Sequence, residues 1–145
     1  MAKPLFGLAV VLVVSACSGR SALAPWHDVD CVRALQGSDH APAVEWLKDP
    51  FGGPKTLGRL SAEEALALVD ALDTRGAKRI EAVRVEKRQG PEPSQSSPGL
   101  VVEVPDEPAR RKAIFQLYAK VVRESGYEPR KDEGQQFLYV VAGER

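Results

Sequence analysis

The chain has 145 residues, 20 basic against 20 acidic, so its formal net charge is zero at neutral pH. That balance leaves no electrostatic footprint for nucleic acid or for an anionic bilayer surface. The length suits one domain with its own hydrophobic core.

In chain order, Lys3 forms a charged start and Leu5 to Val14 is apolar throughout. This run is roughly half of the ~20 residues a helix needs to cross a bilayer, so it reads as a signal segment and not as a membrane span. Val14-Ser15-Ala16-Cys17 closes it. An aliphatic residue, two small residues and a cysteine resemble the bacterial lipobox. The resemblance implies that the Cys17 thiol takes a diacylglyceryl group, with palmitate among the acyl chains, and that cleavage leaves Cys17 as the lipidated N-terminus. Ser18 follows, with no Asp at that position. In a double-membrane bacterium this implies delivery to the outer membrane, facing the periplasm or the surface. The competing reading is an ordinary secretory signal cut after Ala22-Leu23-Ala24. Pro25 would then follow the scissile bond, where its fixed φ and missing N–H obstruct a protease.

Loss of residues 1–16 removes Lys3 and leaves one acidic charge in excess. The membrane is then held by lipid, each buried CH₂ adding ~0.8 kcal/mol, so two or three chains make a stable anchor. With Cys17 acylated, Cys31 is the remaining thiol in an oxidising compartment, either packed as a small hydrophobe or available as a reactive thiol or to an intermolecular disulfide. A Cys17–Cys31 bridge requires that lipidation fail.

Residues 17–25 read as a small, polar tether. Residues 26–54 read as an irregular N-terminal extension, packed on the domain through Trp26, Trp46 and Phe51. Within it Val29, Val32 and Leu35 share one face of a short helix stopped by Gly37, and Val44, Trp46 and Leu47 suit another. Asp49 to Pro54 is a break.

The regular part, 55–145, begins with a short strand at Thr56–Leu60. Ser61 and Glu64 form a capping box, and Ala65, Leu66, Val69 and Leu72 line the helix that follows, ended by Gly76. Ile80–Arg88 reads as a strand whose alternation slips between Ala82 and Val83, at a bulge or at the strand's entry. Gln89–Pro98 lacks any large apolar side chain and reads as a mobile loop. Leu100–Val104 is a strand apolar on both faces, hence central. Asp106 is the expected cap of a second helix with Ile114, Leu117, Tyr118 and Val121 as its buried stripe, ended by Ser125-Gly126. Gln136–Ala142 is the closing strand. The order βαββαβ predicts an α+β fold of the ferredoxin-like kind, an antiparallel sheet with two helices on one face. If the first strand is absent, a three-stranded sheet with two helices remains.

The patterning of 57–142, with its VPDEPARR and DEGQ elements, resembles an uncharacterised α+β domain of large-genome environmental bacteria. The resemblance implies no activity, and a fold alone would not supply one.

His27, Cys31 and His40 are metal-compatible, and His27 and Cys31 would share a helical face. No H-x₃-H or C-x₂-C pairing accompanies them, and caps and turns explain the neighbouring Asp28, Asp30 and Asp39. A Cys31–His27 nucleophilic pair has no legible orienting partner. Arg110-Arg111-Lys112, Lys78-Arg79 and Lys87-Arg88 read as solvated faces, with a small basic patch for an acidic partner or peptidoglycan as the alternative. Glu63-Glu64 and Asp106-Glu107 sit at helix starts, where capping accounts for them. There is no nucleotide loop and no G-x-S-x-G, so no catalytic residue and no cofactor is expected. The resulting expectation is a lipid-anchored, non-catalytic binding or accessory protein of the bacterial envelope with an unknown protein partner. The alternatives are a metal- or thiol-dependent enzyme using His27, Cys31 and His40, or an immunity-type lipoprotein that neutralises a toxin.

Overall fold

A computed structural model describes residues 22–142; the signal segment and Cys17 lie outside them. The protein is α+β. Ten strands and four helices are described: β1 (Ala22–Leu23), α1 (Asp28–Gln36), β2 (Ala41–Pro42), α2 (Ala43–Lys48), β3 (Lys55–Leu57), β4 (Leu60–Ser61), α3 (Ala62–Thr74), β5 (Arg79–Val83), β6 (Glu86–Arg88), β7 (Ser94–Ser97), β8 (Gly99–Glu103), α4 (Pro108–Glu124), β9 (Tyr127–Glu128) and β10 (Phe137–Val141).

The main sheet is antiparallel in the order β10-β8-β5-β2. Partners in register point to the same side, so Leu138, Val102 and Ile80 share one face with Val140, Leu100 and Ala82, while Tyr139, Val101 and Glu81 share the other. Leu100, Val101 and Val102 are all buried, as expected for a central strand covered on both faces.

The strand pairing does not confirm the ferredoxin-like plan. The expected first strand splits at Gly58 into β3 and β4, and these join β7 and β6 in a second sheet of order β4-β3-β7-β6. The fourth strand of the main sheet is β2, from the segment read as an irregular extension. That segment also contributes Cys31, Ala43, Trp46 and Leu47 to the core, whereas Phe51 is exposed. The end of the expected tether is folded as well: β1 pairs in parallel with β9, and the Ala24 N–H donates to the Glu128 carbonyl at 2.8 Å.

Of the expected loop Gln89–Pro98, Ser94–Ser97 is a strand and the residues before it form the turn. β6 and β7 form a hairpin that continues the β5–β8 pair beyond a bend. The bend falls at Arg84, whose φ is 51°, and at Pro98, which has no N–H for the ladder. Strands that switch sheets at such a bend make the corner between two sheets. The Ser97 hydroxyl fills that corner, 2.6 Å from the Val83 carbonyl and 2.9 Å from that of Gly99, and accepts the Gly99 N–H at 3.3 Å.

The capping box of α3 is present: the Glu64 N–H donates to Ser61 Oγ at 3.2 Å and the Ser61 N–H to Glu64 Oε1 at 3.0 Å. On α4 the cap is Glu107 and not Asp106, its carboxylate accepting the Arg110 N–H at 2.9 Å. Pro108 occupies the first helical turn, where its fixed φ and absent N–H cost nothing, so the residue before it becomes the cap. The buried stripe of α4 is Ile114, Tyr118 and Val122, with Leu117 and Val121 half-buried. In α3 it is Ala65, Leu68, Val69 and Leu72, with Leu66 half-buried.

Leu72→Ala is expected to cost ~2–5 kcal/mol, because a fully buried leucine leaves a cavity, and Leu117→Ala less, because its side chain already meets solvent. Ser97→Ala strips the corner of its shared donor and should cost ~1–3 kcal/mol. Thermal and urea melts of the three variants check the order; an unaffected Ser97→Ala would mean the corner holds without the hydroxyl.

Candidate functional site

Cys17 lies outside the described residues, so the lipidation site carries no geometry. The other three residues singled out in the sequence do not come together. His27 is the exposed N-cap of α1, its backbone N–H donating to Asp30 Oδ2 at 2.9 Å. His40 follows the far end of the same helix, whose nine residues span about 13 Å. Cys31 is fully buried on the inner side of α1. Its thiol is pushed up to about 12, first by burial and then by the Asp28 and Asp30 carboxylates, which disfavour a thiolate beside them. Among the described residues no group of three His, Cys, Asp or Glu side chains could hold a metal ion.

What the structure gives His40 instead is a carboxylate partner. Its Nδ1 lies 2.6 Å from Glu81 Oε1, and the Arg79 Nε lies 3.2 Å from the other carboxylate oxygen. Glu81 is buried on the sheet, so its charge is compensated from both sides. His40 borders a cavity of about 560 Å³ between β2, α2 and β7. There the Trp46 indole N–H donates to Gln95 Oε1 at 2.8 Å, which ties α2 to the second sheet. The sequence separates His40 and Glu81 by 41 positions, and only the β2–β5 pairing makes them neighbours.

A second and larger feature runs along α4. A groove of about 700 Å³ opens between this helix and the chain that follows β9. Phe115, Ala119 and Pro129 supply its apolar floor, and Lys112, Arg123, Arg130 and Lys131 bring four cations to it. Arg111 fastens the groove's wall. Its Nη2 donates to Asp132 Oδ1 at 2.6 Å and to the Gln135 carbonyl at 3.1 Å, its Nε to Asp132 Oδ2 at 3.2 Å and its Nη1 to the Pro105 carbonyl at 3.2 Å. This bidentate clamp holds the Asp132 carboxyl below the usual range, the Arg111 hydrogen bonds being the largest cause. The Arg130 backbone N–H donates to the Tyr118 hydroxyl at 3.0 Å, which pins the wall to the core helix. Sequence analysis marked Arg111 and Lys112 as part of a basic run but missed Arg123, Arg130 and Lys131. Their common face exists only once α4 packs beside the 128–132 segment.

Three measurements follow. Native Cys31 should resist a thiol reagent at pH 8 and react at once in denaturant. Because its folded pKa is raised, its contribution to stability is complete below the unfolded value, ~8.5, and is lost as pH rises toward about 12; Cys31→Ala should flatten that alkaline loss. For Asp132 the sign is opposite: the depressed folded pKa makes its contribution present above the unfolded value, ~3.9, and lost as pH falls through the folded one. Urea melts from pH 6 down to pH 3 should therefore fall less steeply for Asp132→Asn, which starts weaker.

The chain matches no protein-family model, no curated protein and no solved structure, so its function is argued from these sites and from the N-terminal motif.

Proposed function

We propose that this chain is a lipid-anchored, non-catalytic binding or accessory protein of the bacterial cell envelope, held in the outer membrane through Cys17. The observation that carries this reading is the Val14-Ser15-Ala16-Cys17 motif behind its short apolar run. Two structural features support it. The residues of the thiol- or metal-dependent alternative stand apart, since His27 caps the start of α1, His40 lies beyond its far end and Cys31 is buried. The groove along α4, in turn, suits recognition: Lys112, Arg123, Arg130 and Lys131 flank an apolar floor. Cys17 precedes β1 by five residues, at most about 18 Å of extended chain. On this reading the β1–β9 side of the domain rides close to the bilayer.

Cells fed an alkyne-bearing fatty acid should label the wild-type protein, and Cys17→Ser should lose both the label and membrane association. A Cys17→Ser protein that stays in the membrane fraction, or a wild type released free of lipid, sinks the anchor reading.

A further inference from the structure

We infer that the groove along α4 binds an extended acidic peptide segment of a partner protein. The inference deepens the binding-protein reading above by naming the partner's chemistry. Its length is the first argument. The groove follows α4 from Pro108 to Arg123, fifteen residues or about 22 Å of helix, which matches six or seven residues of extended chain at ~3.3 Å each. A compact anion would leave most of that length empty.

Charge is the second argument. On a chain with no net charge, the groove gathers Lys112, Arg123, Arg130 and Lys131, and none of the four forms an ion pair among the described residues. The acids nearby do not offset them: Asp132 is committed to Arg111, which leaves Glu128 against four cations.

Third, Arg130 is held in place at the groove, its backbone N–H donating to the Tyr118 hydroxyl. Its Nε is closed to solvent and so to any ligand in the groove; a carboxylate is the acceptor that suits the rest of its planar fork. The apolar floor of Phe115, Ala119 and Pro129 then asks for aliphatic side chains alternating with the acids, as an extended strand presents them.

The test uses the full-length lipidated protein in detergent and a fluorescein-labelled heptapeptide of alternating Glu and Leu, read by anisotropy. Saturable binding is expected, weakened at least tenfold by Arg130→Gln and again by Lys131→Gln, and lost at high salt. Glu86→Gln, on the second sheet, should change nothing. The melting temperature of Arg130→Gln should not fall, because the Nε it removes holds no partner; a drop would mark a structural role and overturn the assignment. Equal binding of a Lys-Leu heptapeptide also overturns it. So does complete displacement by equimolar inorganic phosphate, which would mark a simple anion site, or displacement by vesicles of anionic lipid, which would mark a headgroup site. None of these outcomes touches the fatty-acid labelling of Cys17, so the groove and the anchor fail independently.

Discussion

One serine hydroxyl stands where the two sheets meet. Ser97 faces the Val83 and Gly99 carbonyls at the point where the long β5–β6 and β7–β8 ribbon turns from one sheet into the other. Carbonyls turned out of a ladder at a buried bend need another donor, or they carry the full cost of desolvation. Ser97 meets that need in a position where Pro98 cannot. The turn between β3 and β4 docks at the same corner, the Gly58 N–H donating to the Ser97 carbonyl at 2.7 Å and the Arg59 N–H to the Ala142 carbonyl at 3.3 Å. The start of α3 and the end of β10 are thus positioned from one junction.

The N-terminal segment is bound in by a different means. Asp28, in the first turn of α1, accepts the Gln136 and Phe137 N–H groups at 3.0 and 2.9 Å, covering the open edge where β10 begins. An uncovered edge invites pairing with another chain. Just before it, the Trp26 ring stacks on Tyr139 at 4.0 Å, and the Arg84 guanidinium lies over Trp26 at 4.8 Å. Both Trp26 and Arg84 hold positive φ, at 76° and 51°, a conformation that costs roughly 1–3 kcal/mol per residue. Gly99 makes room for this stack: a Cβ there would sit 2.8 Å from the Tyr139 ring. The segment is joined to the sheet by stacking and by one carboxylate, so it belongs to the same core as the rest of the described chain.

The buried lysine below α2 shows how polar groups are spent on shape. Lys55 sits nearly inaccessible and donates to the carbonyls of Asp49, Phe51 and Gly53. Its three ammonium hydrogens satisfy the backbone of the turn that the sequence marks only as a break. The α4 groove is the contrary case: Lys112, Arg123, Arg130 and Lys131 line it and form no ion pair among the described residues.

Local signals in the sequence determined the local events. Ser61 and Glu64 specify the start of α3 because both partners of the capping box lie within one turn, and Gly76 ends it because only a residue free of Cβ takes φ of 101° cheaply. The α+β class and the central burial of β8 were legible for the same reason, whereas the slip expected between Ala82 and Val83 is absent, their pairing to Leu100 and Gly99 running without a break. Tertiary structure decided what depends on contacts between distant residues. Gln89–Pro98 looks like a loop because its residues are polar, yet hydrogen bonds to Trp46, Val83 and β3 make Ser94–Ser97 within it a strand. Val29 and Val32 share a helical face, but packing buries Cys31 and leaves both valines exposed. His40 acquires Glu81, and Arg130 acquires a groove, through pairings that no spacing encodes, because side chains recruited from separate elements become neighbours only when the sheet has chosen its strand order.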